Sequence, residues 1–234
     1  MSWKAKRFWK EATVIATDGG FTVTLDGRPV KTPAKAALVV PTAAMAQAIA
    51  AEWDAQQGPV RPDTMPYTRA ANSALDKVVP QFNEVVTLLT AYGETDLLCY
   101  RATDPEPLVT RQAMRWDPLL EWSATALGAP LRAVPGVMFL EQPHKSLLRL
   151  HALTAAQTAF QIAAFHDLVA ISGSLILALA VTHHRLTPDE AFGLSRIDEH
   201  WQAELWGFDE DAAVLEALKK DAFHQAARFH TLCG

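Results

Sequence analysis

The stretch TVIATDGGFTVTLDGRPVKTP, Thr13–Pro33, decides the fold class of the N-terminal region. Apolar and polar residues alternate along it, which is typical of strands with one buried face. Two turn signals interrupt the alternation, DGG at 18–20 and DG at 26–27. The Asp-Gly pair suits a type I′ turn, because both central residues of that turn have positive φ. The stretch therefore predicts antiparallel strands joined by tight turns.

A further strand and a helix follow this stretch. The run AALVV at 36–40 predicts a strand that ends at Pro41. Thr42 then has the character of a helix N-cap, and Ala46, Ile49, Ala50 and Trp53 follow at helical spacing. The beginning of the chain thus predicts a sheet with one helix packed on it.

The proline-rich connector GPVRPDTMP, residues 58–66, separates this region from the rest of the chain. Beyond it the apolar period is helical. We therefore predict the α+β class, with a small sheet-plus-helix domain at residues 1–66 and a larger all-helical domain at residues 67–234.

Helix boundaries within the second region are marked by familiar signals. DP at 104–105 and TPDE at 187–190 predict helix starts, the second with a capping box. Gly128 and Gly207 predict helix ends. Pro118 lies inside the helical pattern of 108–127, so we expect it to kink or divide that helix.

The run LVAISGSLILALAV, Leu168–Val181, has fourteen residues without a charge. A membrane-spanning helix needs about 20. Because the run is apolar all round, it predicts one buried central helix of the second domain and no membrane insertion.

The composition limits the protein's partners and its location. The formal net charge is −5, whereas a nonspecific nucleic-acid binder carries a basic stripe, so we expect no nucleic-acid partner. Cys99 and Cys233 lie far apart and form no metal-binding spacing, which favours a reducing compartment. The N-terminal residues lack the apolar segment of a secretory signal. We expect a bacterial cytoplasmic protein, or one of the mitochondrial matrix if a presequence has been removed.

The acidity is concentrated in SRIDEHWQAELWGFDED, Ser195–Asp211, which has six acids and one arginine. With the pair His183 and His184, the acids Asp198 and Glu199 could form a metal site of a hydrolase. However, adjacent residues on a helix point about 100° apart, so neighbouring histidines rarely share a metal ion. The simpler interpretation places both histidines at the end of the apolar helix, where the dipole favours cations.

Catalytic motifs are missing from the sequence. It contains no GxSxG, GxxxxGK[ST], GxGxxG or HExxH pattern. We therefore expect no catalysis, no metal and no cofactor.

The acidic stretch has helical spacing with two different faces. An apolar stripe at i, i+4 and i+8 predicts an inward face formed by Ile197, Trp201 and Leu205. Glu199, Gln202 and Trp206 lie away from it and predict an outward face that could contact a partner, since aromatic residues are enriched at interface cores. A solvated face with Trp206 folded under the Gly207 turn is the alternative.

Seven segments, in one order along the chain, resemble the assembly chaperones of the F-type ATP synthase alpha subunit, a family of mitochondria and α-proteobacteria. The segments are RFWK (7–10), LDGRPVKTP (25–33), EWDAQ (52–56), TDLLCYRA (95–102), WDPLLEW (116–122), GSLILALA (173–180) and DEHWQAELWG (198–207).

The resemblance implies a non-enzymatic protein that holds the unassembled alpha subunit until the beta subunit takes the same surface. It also implies a sheet-containing N-terminal domain followed by a helical one. The family's acidic position corresponds to Glu199 or, with an offset of one residue, to Asp198. With Gln202 and Trp206, these residues form the expected partner-binding site on a monomer.

Two other functions are compatible with the residues alone. One is a metal-dependent hydrolase that uses the His183/His184 and Asp198/Glu199 region, which bound metal in purified protein would support. The other is a helical scaffold for a different complex, which its co-purifying partners would identify.

Overall fold

A computed structural model describes residues 6–207 and 209–234. The strands in this part of the chain are β1 (Ala12–Thr17), β2 (Gly20–Leu25), β3 (Arg28–Pro29), β4 (Val39–Val40), β5 (Tyr100–Arg101) and β6 (Val134–Pro135). The α-helices are α1 (Ala43–Asp54), α2 (Pro66–Ser73), α3 (Phe82–Thr90), α4 (Glu106–Trp122), α5 (His144–Ala155), α6 (Ala159–Ser172), α7 (Leu175–Thr182), α8 (Pro188–Leu194), α9 (Ile197–Trp206) and α10 (Glu210–Leu232). The α+β class is confirmed.

The N-terminal sheet has β2 at its centre. β1, β3 and β4 each pair with β2 in antiparallel fashion, and Val14 lies opposite Val23. The turn between β2 and β3 has positive φ at Asp26 (47°) and Gly27 (80°), which confirms the predicted type I′ geometry. The sheet thus follows the alternation and turn residues of the sequence.

Helix α1 packs on β1 and β2 and begins where the sequence predicts. The Thr42 side chain accepts a hydrogen bond from the Met45 amide at 3.1 Å, as an N-cap does. The buried side of α1 includes Met45, Ala46 and Ile49, which join Val23 of β2 in the core. Burial of this apolar side is the main force that holds the helix on the sheet.

The structure divides into two compact units whose boundaries differ from those of the two predicted domains. The first unit contains the described residues up to Phe82, together with Ala159–Ala164 and Arg228–Gly234. The second contains Asn83–Thr158 and Phe165–Ala227. Domains at 1–66 and 67–234, in the sense of parts that fold alone, remain a proposal.

The second unit is helical apart from β5 and β6, which form a parallel pair two residues long. This pair is a correction to the expectation of an all-helical region. In the described part of the chain, no helix is long and apolar enough to cross a membrane.

The apolar run Leu168–Val181 forms two helices, so the prediction of one central helix is wrong. The chain leaves α6 at Gly173, whose φ is 69°, and Ser174 caps α7 by accepting a hydrogen bond from the Leu177 amide. The predicted burial is confirmed for α7, where Leu175–Val181 are all buried. Glycine permits the left-handed conformation that separates the two helices.

Asp96 holds the beginning of α7 in place. Its carboxylate is fully buried and accepts hydrogen bonds from the Ser174 hydroxyl (2.7 Å) and the amides of Ile176 and Leu98 (both 3.0 Å). Burial outweighs these hydrogen bonds and raises the pKa of Asp96 to about 6. The carboxyl group therefore carries an energetic penalty when it is ionised.

We expect this penalty to be visible in the pH dependence of stability. Because the folded-state pKa of about 6 exceeds the ordinary 3.8, the contribution of Asp96 is fully present below pH 3.8 and is lost as the pH rises through 6. At 1.36 kcal/mol per unit of pKa, the loss is about 3 kcal/mol. Urea unfolding of the wild type and Asp96→Asn at pH 4 and pH 7 measures it. If the free energies of unfolding of the two proteins differed by the same amount at pH 4 and at pH 7, the prediction would be contradicted.

Most of the predicted helix signals have the expected roles. Thr187 and Glu190 form the capping box at α8, and Gly128 and Gly207 end their helices with positive φ, so these predictions are confirmed. Two details differ. The N-cap of α4 is Pro105 instead of the preceding Asp. Pro118 does not divide α4, which continues to Trp122 and then into the π-helical turn Ser123–Leu127, so that half of the prediction is wrong and a kink at Pro118 stays a prediction.

Candidate docking surface

Helix α9 contains all four residues of the predicted partner-binding site. Its first residue, Ile197, is buried, and Trp201 is half-buried. The Arg111 guanidinium of α4 lies 4.7 Å from the centre of the Trp201 ring and donates two hydrogen bonds to Glu204, at 2.7 and 2.8 Å. These bonds lower the pKa of the Glu204 carboxyl. One side of α9 is therefore anchored to α4.

Leu205 does not belong to this anchoring side, which corrects the predicted inward stripe. Leu205 is 58% exposed, whereas Ile197 is buried and Trp201 is half-buried. Exposure thus rises along α9 towards its C-terminal end. Helical spacing identifies a shared face, but burial also depends on which other elements cover that face.

Asp198 takes part in an internal contact. Its carboxylate accepts a hydrogen bond of 2.6 Å from the amide nitrogen of Gln112, which is itself buried. The amide oxygen of Gln112 accepts a hydrogen bond from the backbone of Ala102 at 2.8 Å. Asp198 therefore connects α9 to α4 and to the segment after β5, and it is only partly available to a partner.

Glu199 has a more open environment. Its side chain is 52% exposed and pairs with Arg196 at 2.9 Å. Arg196 has further hydrogen bonds to the carbonyl of Ile171 (3.0 Å) and the hydroxyl of Ser195 (3.2 Å), so its position does not depend on Glu199 alone. Reversing the charge at Glu199 would add repulsion from Arg196 but would not remove a buried contact.

Gln202 and Trp206 complete the outward face. Both are exposed, and the Trp206 side chain is 78% exposed, so it is not folded under the turn at Gly207. An indole exposed to this degree beside a carboxylate and an amide matches the composition of protein interfaces. The surface can offer both apolar area and negative charge to another protein.

The residues that support this surface from α4 and α10 were not found by sequence reasoning. Arg111 and Gln112 of α4 bind α9, and Glu216 of α10 bonds to the His200 ring at 2.8 Å. The apolar residues of α10, which are exposed, were also missed. Their spacing at 214, 215 and 218 was the available signal.

The hydrolase interpretation receives no support. Within residues 6–207 and 209–234, no group of three or more His, Cys, Asp or Glu side chains could hold a metal ion. His183 lies edge-on to Trp122, with ring centroids 6.0 Å apart. Burial, followed by the charge of His184, lowers the pKa of His183. The simpler interpretation is confirmed in its placement, because His183 is the C-cap of α7 and His184 follows it directly.

Comparisons with known proteins give one consistent result. A family model described as ATP12 chaperone protein matches residues 6–124. The solved structure of Atp12 from Paracoccus denitrificans is 49% identical, with both chains fully covered and a TM-score of 0.96. A solved aspartate-to-lysine mutant of Atp12p from the same organism is 48% identical over 98% of each chain, with a TM-score of 0.95. The mitochondrial protein atp12 of Schizosaccharomyces pombe is 27% identical in an alignment 225 residues long, which covers 90% of this chain and 77% of the relative.

Proposed function

The chain belongs to the ATP12 chaperone family and is an ATP synthase assembly chaperone; from this premise we propose that its client is the unassembled alpha subunit of the F-type enzyme. We further propose that it acts as a monomer, without catalysis, in the bacterial cytoplasm or the mitochondrial matrix. Its relatives include one bacterial and one mitochondrial protein.

A physical argument supports a chaperone for such a subunit. A subunit that will share a large apolar interface with its neighbour exposes that interface before assembly, and exposed apolar patches cause aggregation. A protein that covers the patch must bind it more weakly than the final neighbour does. The alpha subunit in this proposal is covered by the chaperone and then transferred to the beta subunit.

The outward face of α9 is the observation that carries the proposal. Glu199, Gln202 and Trp206 are exposed on it, while Ile197 and Trp201 anchor the opposite side. The helix is therefore held in place before a partner binds, so less conformational entropy is lost on binding. We propose that Glu199, Gln202 and Trp206 contact the alpha subunit directly, with Asp198 at the edge of the contact.

Titration of the protein with the isolated alpha subunit tests the client assignment. We expect saturable 1:1 binding in calorimetry and suppression of alpha-subunit light scattering during dilution from denaturant. Addition of the beta subunit should release the chaperone, because both bind the same surface. The isolated beta subunit is the control, and we expect no binding to it. Binding to beta but not to alpha would contradict the proposal.

A further inference from the structure

The beginning of α10 has apolar residues that are mostly exposed. Residues Glu210–Leu215 are all exposed, and Val214, Leu215 and Leu218 are each 60–61% exposed. We call these three residues the outer face of α10. Large exposed apolar groups that cluster on one element mark an interaction site more often than scattered ones do.

The outer face of α10 points away from α9. A groove of about 320 Å³ separates α10 from α9, and Ala213, Glu216 and Ala217 line it. At 100° per residue, the outer face lies on the side of α10 roughly opposite these groove residues. Closing the groove against α9 would therefore leave the outer face exposed.

Acidic residues are frequent in the segment that leads into the outer face. From Ile197 to Leu218 the sequence has no Lys or Arg. Seven acids occur there: Asp198, Glu199, Glu204, Asp209, Glu210, Asp211 and Glu216. Asp211 lies one turn before Leu215 on the same side of α10. Lys219 borders the face near its other end, so the charge is polarised along the helix.

The charge at the end of the face and the small number of its side chains decide between two possible occupants. A second copy of the chain packed in parallel would bring Asp211 against Asp211, and like charges facing each other are unfavourable. Three side chains are also far fewer than the roughly 20 residues a side of a stable interface. A partner helix with apolar residues at helical spacing and basic residues at one end would satisfy both the apolar and the acidic part of the surface.

We propose that the outer face of α10 binds an amphipathic helix of the client, with Lys or Arg at the end that meets Asp211. The inference rests on the proposed function and extends the client contact from α9 to α10. The chaperone then covers its client with two adjacent helices. The contact on α10 supplies apolar area, and the contact on α9 supplies the charge of Glu199.

Charge substitution on this face tests the proposal. We expect Leu218→Glu to weaken binding of the isolated alpha subunit at least tenfold in calorimetry, with Leu218→Ser giving a smaller loss. Leu148→Glu is the matched control, because Leu148 is 57% exposed on α5 of the same unit, and we expect its affinity to be unchanged. Circular dichroism confirms that each variant is folded, and if Leu218→Glu is not folded, Leu218→Ser decides the test.

The outcomes separate the inference from the proposed function. If the wild type does not bind the alpha subunit, the proposed function fails and the inference fails with it. If the wild type binds and both Leu218 variants bind equally well, only the inference is overturned. A photo-reactive benzoylphenylalanine at position 218 should cross-link to a basic amphipathic helix of the alpha subunit. A cross-link to a second copy of this chain, or to an acidic segment, would also overturn it.

Discussion

Replacement of Leu177 by aspartate is expected to leave the chain without a stable fold. Leu177 is fully buried in α7, where Leu175–Val181 are all buried. Loss of a buried leucine side chain costs about 2–5 kcal/mol. An unpaired carboxylate buried in its place adds several kcal/mol more. Together these costs approach or exceed the roughly 5–15 kcal/mol by which a typical domain is stable.

Circular dichroism and a urea titration of Leu177→Asp measure this effect. Leu148→Asp is the control, because the same change on an exposed side chain removes little burial. We expect the control to unfold like the wild type. A soluble Leu177→Asp protein with a normal unfolding transition would show that α7 tolerates charge and is not the centre of its unit.

Local signals were enough to predict the elements that depend on neighbouring residues. The hairpin turn at Asp26 and Gly27, the cap at Thr42 and the capping box at Thr187 each involve residues at most four positions apart. Their geometry follows from the conformational preferences of the residues themselves. Sequence patterns therefore identified them correctly without knowledge of the tertiary structure.

The division between α6 and α7 depends on a residue far away in the sequence. Gly173 and Ser174 lie inside an apolar run, where a glycine can also be tolerated within a helix. The helix starts anew because Asp96, 78 residues before Ser174, accepts hydrogen bonds at the N-terminus of α7. No local pattern shows that a buried carboxylate will be placed there, so the run was predicted as one helix.

Several segments that carry the family resemblance have structural roles. Arg7 donates a hydrogen bond to the backbone carbonyl of Gln56 at 2.9 Å. Glu52 is buried and accepts hydrogen bonds from the amides of Tyr67 and Thr68 at the beginning of α2, at 2.6 and 2.8 Å. These segments identify the family because they specify its fold.

In the region of the candidate site, the spacing predicted helix α9 and most of its exposed face. It could not show that Gln112 of α4 binds Asp198, because that contact joins two elements distant in the sequence, whereas Glu199 pairs with Arg196 three residues before it. It also placed Leu205 inside, although nothing in a helical period reveals where the covering elements end. The structure thus separates two adjacent acids that the sequence treats alike.

Glu199→Lys is expected to weaken binding of the alpha subunit strongly while the fold stays intact. The Glu199 side chain is 52% exposed and pairs with Arg196, whose side chain is 12% exposed. Because Arg196 keeps its hydrogen bonds to Ile171 and Ser195, we expect loss of the pair to cost about 1 kcal/mol. At a desolvated interface, the reversed charge would cost roughly 2–5 kcal/mol. Such a cost corresponds to a loss of affinity between about thirtyfold and several thousandfold. A thermal melt and a calorimetric titration of the same variant measure the two effects.

Asp198→Lys provides the comparison that assigns the role of each acid. Because Asp198 accepts the hydrogen bond of the buried Gln112, its replacement should lower the melting temperature as well as the affinity. Glu199→Lys should lower the affinity alone. Asp198→Asn keeps the size of the side chain and removes its charge. If Glu199→Lys leaves the affinity unchanged and Asp198→Asn abolishes binding, the docking role belongs to Asp198. A melt that collapses in Glu199→Lys would instead show that the pair with Arg196 holds α9 in its fold.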